Sequence, residues 1–150
     1  MSTILVTGAD GFVGSWTIPA LLRAGHRVVA MVRTPDAGAV VRDRLPPAWR
    51  DRVETRVADV TLPASLRAPV EGVDAILHLV AIPLDRSGGA ELYRVNTGGT
   101  RNVVAAATEA GVRRFIHMGA LGVVDDPGDV AAVDRLEPAE PVARHRHDPG

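Results

Sequence analysis

Three glycines at a fixed spacing constrain the fold of this chain most strongly. The stretch TILVTGADGFVGSW begins at Thr3 and carries Gly8, Gly11 and Gly14 directly behind an apolar run of strand length. From Phe12 onwards, apolar residues recur at the spacing of a helix. Glycine permits tight turns and close approach of backbones. The spacing therefore predicts a strand, a tight loop and a helix that packs closely on the strand.

The rest of the chain alternates short apolar runs with helical patterns. The predicted strands are 3–7, 27–32, 53–58, 74–80 and 114–118. The predicted helices are 12–24 with a kink or break at Pro19, 39–45 before Pro46 and Pro47, a weak turn at 65–70, and 91–110. Strands rich in Val, Ile and Leu that are joined by helices favour parallel pairing with both faces covered. Because such crossovers are right-handed, we expect an α/β fold: a Rossmann-type doubly wound parallel sheet of about five strands.

Composition excludes several classes of function. The chain has 150 residues, a formal charge of −1 and no cysteine. A near-neutral chain has no broad field that favours nucleic acid. The lack of cysteine excludes disulfides and thiolate chemistry. Because no apolar run approaches the ~20 residues of a membrane span and no basic leader is present, we expect a cytoplasmic protein that does not cross a membrane.

The predicted glycine loop suits a pyrophosphate. A helix that starts behind a parallel strand presents unpaired N–H groups and a partial positive charge to an anion. The spacing here is G-x-x-G-x-x-G rather than the commoner G-x-G-x-x-G, so a plain glycine turn is the alternative. Its position at the first strand of a βαβ unit favours a dinucleotide.

The end of the second predicted strand indicates which dinucleotide binds. An acid at this point would bind a ribose 2′-hydroxyl, whereas an arginine accommodates a 2′-phosphate. Val32 occupies the position where the acid is expected, and Arg33 follows it. A guanidinium can hold a phosphate through two charge-assisted hydrogen bonds. We therefore expect NADP(H) rather than NAD(H), the alternative being that Arg33 is a solvated charge.

Several motifs together resemble a known family. TGADGFVG, ADV, HLVA and YRVNTGGTRNVVAAATEAGVRRFIHMGALG stand at intervals similar to those of short-chain dehydrogenases/reductases. The resemblance covers residues 3 to about 127. It is to the extended and atypical branches, which include NAD-dependent epimerase/dehydratases and relatives of an NAD(P)-binding accessory subunit of respiratory complex I.

The resemblance implies a set of cofactor contacts. They are Thr7, Gly8, Gly11, Phe12, Val13 and Gly14 under the pyrophosphate, Asp59 and Val60 beside the adenine, Val80 and Ala81 along the adenine-side ribose, and Asn96 in the long helix. Each has a structural alternative. Asp59 could cap the turn before Thr61, Val80 and Ala81 could be core residues, and Asn96 could be an amide satisfied within the protein.

The catalytic residues that the resemblance implies do not match this chain. Such reductases use a Tyr, a Lys four residues later, and a Ser or Thr just after the fifth strand, for general acid catalysis. Here Gly119 and Ala120 follow that strand, no Tyr follows Tyr93, and all basic residues are Arg. We therefore assign no catalytic residue and no metal ligand. Three alternatives stay open: a non-catalytic NADP(H)-binding module, an NADP-dependent oxidoreductase or epimerase whose catalytic half is missing from this chain, and an inert fragment that folds poorly.

The chain changes character after about residue 125. The residues beyond this point include many prolines and acids and show no helical or strand periodicity. We therefore expect a dinucleotide-binding domain at 1–124, followed by an irregular or disordered tail at 125–150. The family pattern would continue into a substrate-binding portion, so we expect a truncated or frameshifted chain. An apolar face exposed by that loss would favour self-association or a protein partner.

Overall fold

The computed structural model describes residues 1–83 and 89–119 of the chain. Its strands are β1 (Thr3–Thr7), β2 (Arg27–Val32), β3 (Val53–Val57), β4 (Ala75–His78) and β5 (Arg114–His117). Its helices are α1 (Phe12–Arg23), α2 (Pro35–Asp43), α3 (Pro47–Arg50), α4 (Arg67–Val70), α5 (Ala90–Leu92) and α6 (Thr100–Glu109). A 3₁₀ turn covers Pro63–Ser65, and a π-helical segment covers Tyr93–Gly99. The tail predicted at 125–150 and Ala120 lie outside the described residues.

The strands form one parallel sheet in the order β3-β2-β1-β4-β5. This arrangement confirms the predicted α/β doubly wound fold. Thr7 at the end of β1 stands opposite Met31 of β2 and His78 of β4. The chain leaves β1 towards β2 on one side, while β4 lies on the other side. The carboxyl ends of β1 and β4 therefore flank the switch point at which α/β sheets place their ligands.

Apolar side chains cover both faces of the sheet. Along β1, Leu5 packs with the α4 and α6 side, whereas Val6 packs with the α1 and α2 side. In β2, Val29 and Val28 divide between the same two clusters. This two-sided burial explains why the strands are continuous apolar runs rather than alternating ones.

Prolines account for most differences between the predicted and observed helices. Pro19 lies inside α1, which continues past it as one helix. The helix expected at 39–45 begins earlier, at Pro35, because the Thr34 hydroxyl accepts a hydrogen bond from the Ala37 amide (3.3 Å) and caps it. Pro47 begins α3 instead of ending a helix, since proline lacks only an N–H that the first helical turn leaves unpaired.

Other elements also differ in extent, and β3 and β5 each end one residue earlier than predicted. β4 ends at His78 rather than at residue 80. The long helix predicted at 91–110 is divided by the π-helical segment, whose Gly99 approaches Val60 so closely that a β-carbon would stand 2.7 Å from Val60 Cγ2. Wider helical turns of this kind often accompany functional sites.

The sheet ends at β5 among the described residues, and apolar side chains are exposed there. Ile116 is 53% exposed and Met118 is 47% exposed. Within the described part of the chain, no helix is long and apolar enough to span a membrane.

Candidate functional site

A cleft of about 280 Å³ lies at the carboxyl ends of the central strands. The predicted cofactor contacts that line it are Gly8, Gly11, Arg33, Asp59, Val60, Val80 and Ala81. Those that do not line it are Thr7, Phe12, Val13, Gly14 and Asn96. The cleft thus joins the ends of four strands, β1 to β4, that are far apart in sequence.

Each glycine of the loop has a separate steric reason. Gly8 has a φ of +64°, which L side chains rarely adopt, and a β-carbon there would stand 3.3 Å from the backbone of Leu79. A β-carbon on Gly11 would stand 3.2 Å from the Gly8 carbonyl oxygen, and the Gly11 amide donates to that carbonyl (3.1 Å) to close the turn. A β-carbon on Gly14 would stand 2.6 Å from the Ala9 carbonyl oxygen. The loop and the first turn of α1 are therefore a single tightly packed unit.

The start of α1 provides the donors that an anion needs. Gly11 precedes the helix, and the first intrahelical bond runs from the Ser15 amide to the Gly11 carbonyl (3.0 Å). The amides of Phe12, Val13 and Gly14 come before that bond, where helices leave N–H groups without intrahelical acceptors. The Phe12 side chain is 81% exposed and does not line the cleft, so its backbone is the part that can contact a ligand.

Thr7 lies beneath the cleft rather than on its surface. It is fully buried, and its hydroxyl lies 2.8 Å from Nδ1 of His78. The same oxygen accepts hydrogen bonds from the amides of Leu79 (3.1 Å) and Val80 (3.4 Å). Thr7 thereby ties the end of β1 to the segment that follows β4.

Asp59 forms hydrogen bonds with Thr61, as a residue that caps this turn would, and it also lines the cleft. Its Oδ1 accepts hydrogen bonds from the amide and the hydroxyl of Thr61, both at 2.8 Å. The backbone bond from Thr61 is the main cause that lowers the pKa of Asp59, with smaller contributions from the charges of Arg33 and Arg94. The cleft therefore holds an ionised carboxylate with two guanidinium groups in its neighbourhood.

Asn96 is an amide satisfied within the protein. Its Nδ2 donates to the Ile82 carbonyl (3.0 Å), and its Oδ1 accepts from the Ile82 amide (2.9 Å). Asn102 makes a comparable contact, because its Nδ2 donates to the Val60 carbonyl (2.9 Å). The long helical region thus forms hydrogen bonds, through Asn96 and Asn102, with the backbone of two residues that line the cleft, Ile82 and Val60.

The predicted cofactor contacts do not include every residue of the cleft. The further lining residues are Asp10, Met31, Val32, Ala58, Thr61, Leu79, Ile82, Glu91, Arg94 and Val95. Arg94 contacts Glu91 at 3.4 Å, three residues earlier. Helical spacing brings Glu91, Arg94 and Val95 to one side of the helix, and this periodicity was the available signal.

The described residues hold no visible substitute for the implied catalytic groups. Tyr93 begins the π-helical segment and does not follow β5. After β5, the Met118 amide donates to the His78 carbonyl (3.1 Å) and Gly119 comes next. Within residues 1–83 and 89–119, no group of three or more His, Asp or Glu side chains could hold a metal ion.

A doubly wound sheet with a cleft at its switch point is typical of nucleotide-binding proteins. The family model of the NAD-dependent epimerase/dehydratases matches residues 4–147. The chain belongs to this family, as its motifs predicted, and the match extends beyond residue 127, where the recognisable motifs end.

Relatives of established name are similar over most of the chain. A 3-beta-hydroxysteroid dehydrogenase from Mycolicibacterium neoaurum is 35% identical over 92% of this chain and 37% of its own length. Cinnamoyl-CoA reductase 1 from Oryza sativa is 37% identical over 81% of this chain and 35% of its own length. The chain thus spans little more than a third of these relatives.

A solved structure gives the same result for the fold. The crystal structure of a short-chain dehydrogenase/reductase superfamily protein from Agrobacterium tumefaciens, with bound NAD, has a TM-score of 0.61 at 31% identity. The similar region covers 77% of this chain and 31% of that chain.

Proposed function

We propose that this chain is the dinucleotide-binding part of a short-chain dehydrogenase/reductase-like protein, that it binds NADP(H) in preference to NAD(H), and that it lacks complete catalytic machinery. The observation that carries the proposal is the glycine loop. Gly8 and Gly11 line the cleft, while Gly14 packs the first turn of α1 against the loop. This arrangement brings backbone amides to the carboxyl edge of the sheet.

Each part of the cleft has a role in this proposal. The amides of Phe12, Val13 and Gly14 bind the pyrophosphate. The segments around Asp59 and Val80 enclose the adenosine, and the free lone pairs of the Asp59 carboxylate accept from the adenine amine. When bound, the nicotinamide supplies hydride chemistry, and the protein orients it.

Two cations support the preference for NADP(H). Arg33 lies exposed at the end of β2 and lines the cleft, and Arg94 lines the same cleft. No carboxylate stands at the end of β2, where an NAD-specific site would bind the ribose 2′-hydroxyl. The Asp59 charge opposes a nearby phosphate, but hydrogen bonds from Thr61 already engage one of its oxygens.

The second candidate is an active enzyme. The named relatives are dehydrogenases and reductases, which supports an NADP-dependent oxidoreductase or epimerase whose catalytic half is missing from this chain. The lack of lysine opposes catalysis by this polypeptide alone. We expect no NADPH oxidation with simple carbonyl substrates, and substrate-dependent oxidation by the purified chain would favour the second candidate.

Titration with four dinucleotides tests the proposal. Fluorescence of Trp16, which is 71% exposed close to the glycine loop, reports binding of NADPH, NADP, NADH and NAD. We expect NADPH to bind more tightly than NADH. Charge-assisted hydrogen bonds contribute about 1.5–3 kcal/mol, so Arg33→Met should reduce the preference for NADPH over NADH by about 10- to 150-fold.

Arg42→Met is the matched control. Arg42 is an exposed arginine of α2 that does not line the cleft. It should leave the NADPH/NADH ratio unchanged. Equal affinity of the native chain for NADPH and NADH would reject the role of Arg33, and no binding of any dinucleotide would reject the proposed function.

Three further predictions from the sequence accompany this proposal. They are cytoplasmic localisation, a domain boundary at residue 124, and self-association or a protein partner. Exposed Ile116 and Met118 support self-association or a protein partner at β5. Sedimentation of the native chain and of an Ile116→Thr variant would measure that association.

A further inference from the structure

A fully buried histidine joins the central strands beneath the cleft. His78 is 0% exposed, and its ring lies between two threonine hydroxyls. Nδ1 stands 2.8 Å from Thr7 Oγ1, and Nε2 stands 3.0 Å from Thr100 Oγ1. The ring also stacks on His117 of β5, with 5.4 Å between centroids. His78 is the first residue of the HLVA motif, but none of the predicted or proposed cofactor contacts uses its side chain.

The hydroxyl contacts determine where the imidazole carries its proton. Thr100 donates its single hydroxyl proton to the Asn96 carbonyl at 2.6 Å. Towards His78 the same oxygen can therefore only accept, so Nε2 of His78 carries the proton. Nδ1 is then an acceptor, and the Thr7 hydroxyl donates to it. Burial lowers the pKa of His78 to about 4, which agrees with a neutral ring.

Both ends of this hydrogen-bonded chain reach the same wall of the cleft. At one end, Thr7 Oγ1 accepts from the amides of Leu79 and Val80. At the other end, Thr100 binds the backbone of Asn96, whose side chain pairs with both backbone groups of Ile82. These wall residues follow the end of β4, so their amides have left the sheet ladder and need other partners.

We propose that His78, as the neutral Nε2–H tautomer, is a positioning residue for the cofactor cleft. It fixes the wall segment 79–82 from both ends, through Thr7 and through Thr100. This role rests on the proposed dinucleotide site, because the wall positioned is the one that encloses the adenosine. His78 itself does not line the cleft, so it acts through the wall.

A pair of threonines on one helix tests the relay without altering the histidine. Thr100 and Thr108 both lie in α6 and both donate to the carbonyl four residues earlier, Thr108 to Val104 at 2.9 Å. Thr100 contacts His78, whereas Thr108 is exposed and lies outside the cleft lining. We expect Thr100→Val to weaken NADPH and NADH binding by the same factor, about 3- to 10-fold for one lost hydrogen bond. Thr108→Val should change neither affinity.

Two measurements on the ligand-free protein do not depend on cofactor binding. The two-bond ¹⁵N–¹H couplings of the imidazole report its tautomer, and we expect Nε2–H for His78. Amide hydrogen exchange of segment 79–82 should be faster in Thr100→Val than in Thr108→Val. His78→Asn and His78→Gln extend the series, because Asn retains a polar group near Nδ1 and Gln retains one near Nε2.

The outcomes separate this inference from the proposed function. An Nδ1–H tautomer would overturn the relay, as would equal exchange of segment 79–82 in the two threonine variants. Equal dinucleotide affinity of the two variants would reject a positioning role. If the native chain binds no dinucleotide, the proposed function and the role of His78 in the cleft both fail, while tautomer and exchange still decide the relay itself.

Discussion

Gly14 and Ala9 approach so closely that a β-carbon on Gly14 would stand 2.6 Å from the Ala9 carbonyl oxygen and 2.7 Å from that of Gly8. Both obstacles are backbone atoms, so no side chain can rotate away to make room. Gly14 does not line the cleft, yet it sets the distance between α1 and the glycine loop. Its contribution to the site is therefore the packing of the helix start.

The first prediction concerns this packing. Gly14→Ala must move α1 away from the loop, and overpacking of this kind costs about 1–3 kcal/mol of unfolding free energy. We expect that loss in urea unfolding, together with weaker dinucleotide binding. Gly11→Ala should be milder, because its nearest obstacle stands 3.2 Å away. The reverse order of the two variants would contradict the packing argument.

The second prediction compares two adjacent glycines. A β-carbon on Gly99 would stand 2.7 Å from Val60 Cγ2, whereas one on Gly98 would have its nearest neighbour at 3.7 Å. Gly99→Ala should displace Val60, which lines the cleft, and should weaken dinucleotide binding. Gly98→Ala should leave binding unchanged and gain up to about 1 kcal/mol from helix propensity. Equal dinucleotide affinities of the two variants would show that the helix does not constrain Val60.

The sequence predicted the strands well because consecutive residues of a buried parallel strand are all apolar. Val28 to Val32 are all buried, so a continuous apolar run was sufficient to identify β2 and its parallel neighbours. The starts of α2 and α3 were missed because Pro35 and Pro47 interrupt the apolar pattern, although proline is well suited to a first helical turn.

The site was less predictable for a different reason. The local sequence around Asp59 is compatible both with capping of Thr61 and with a ligand contact, and the fold combines the first with a position on the cleft. Asn96 matched a family motif, but its partner Ile82 lies fourteen residues earlier, and local periodicity does not reveal such a pairing. Arg94 lies in the π-helical segment and lines the cleft, a placement that also depends on the tertiary fold.

The third prediction concerns an arginine that supports α4. One Arg56 nitrogen donates to the carbonyls of Ala68 (3.3 Å), Pro69 (2.9 Å) and Glu71 (2.9 Å), and the guanidinium also pairs with Glu54. Arg56→Met should lower the unfolding free energy by about 1–3 kcal/mol, because these carbonyls lose a charged donor at the helix end.

Arg67→Met is the control for this variant. Its side chain is 88% exposed and lies 3.8 Å from Glu71, so its loss should change stability by less than about 0.5 kcal/mol. Chemical denaturation of both variants measures the difference. Equal destabilisation would show that the carbonyl contacts of Arg56 contribute little.

The fourth prediction is a pH dependence of stability caused by His78. Burial, with a smaller effect of the His117 charge, lowers the pKa of His78 from 6.5 to about 4. Between these values the unfolded chain binds a proton that the folded chain does not. Unfolding free energy should therefore be highest above pH 6.5 and fall as pH decreases towards 4, by up to about 1.4 kcal/mol per pH unit.

His78→Asn should remove this slope in urea unfolding at pH 4.5–8, even if it is less stable throughout. The lowered pKa values of Asp59 and Glu54 affect the unfolding free energy below about pH 4.5, which is below the range of this experiment. An unchanged slope in the variant would assign the pH dependence to other groups.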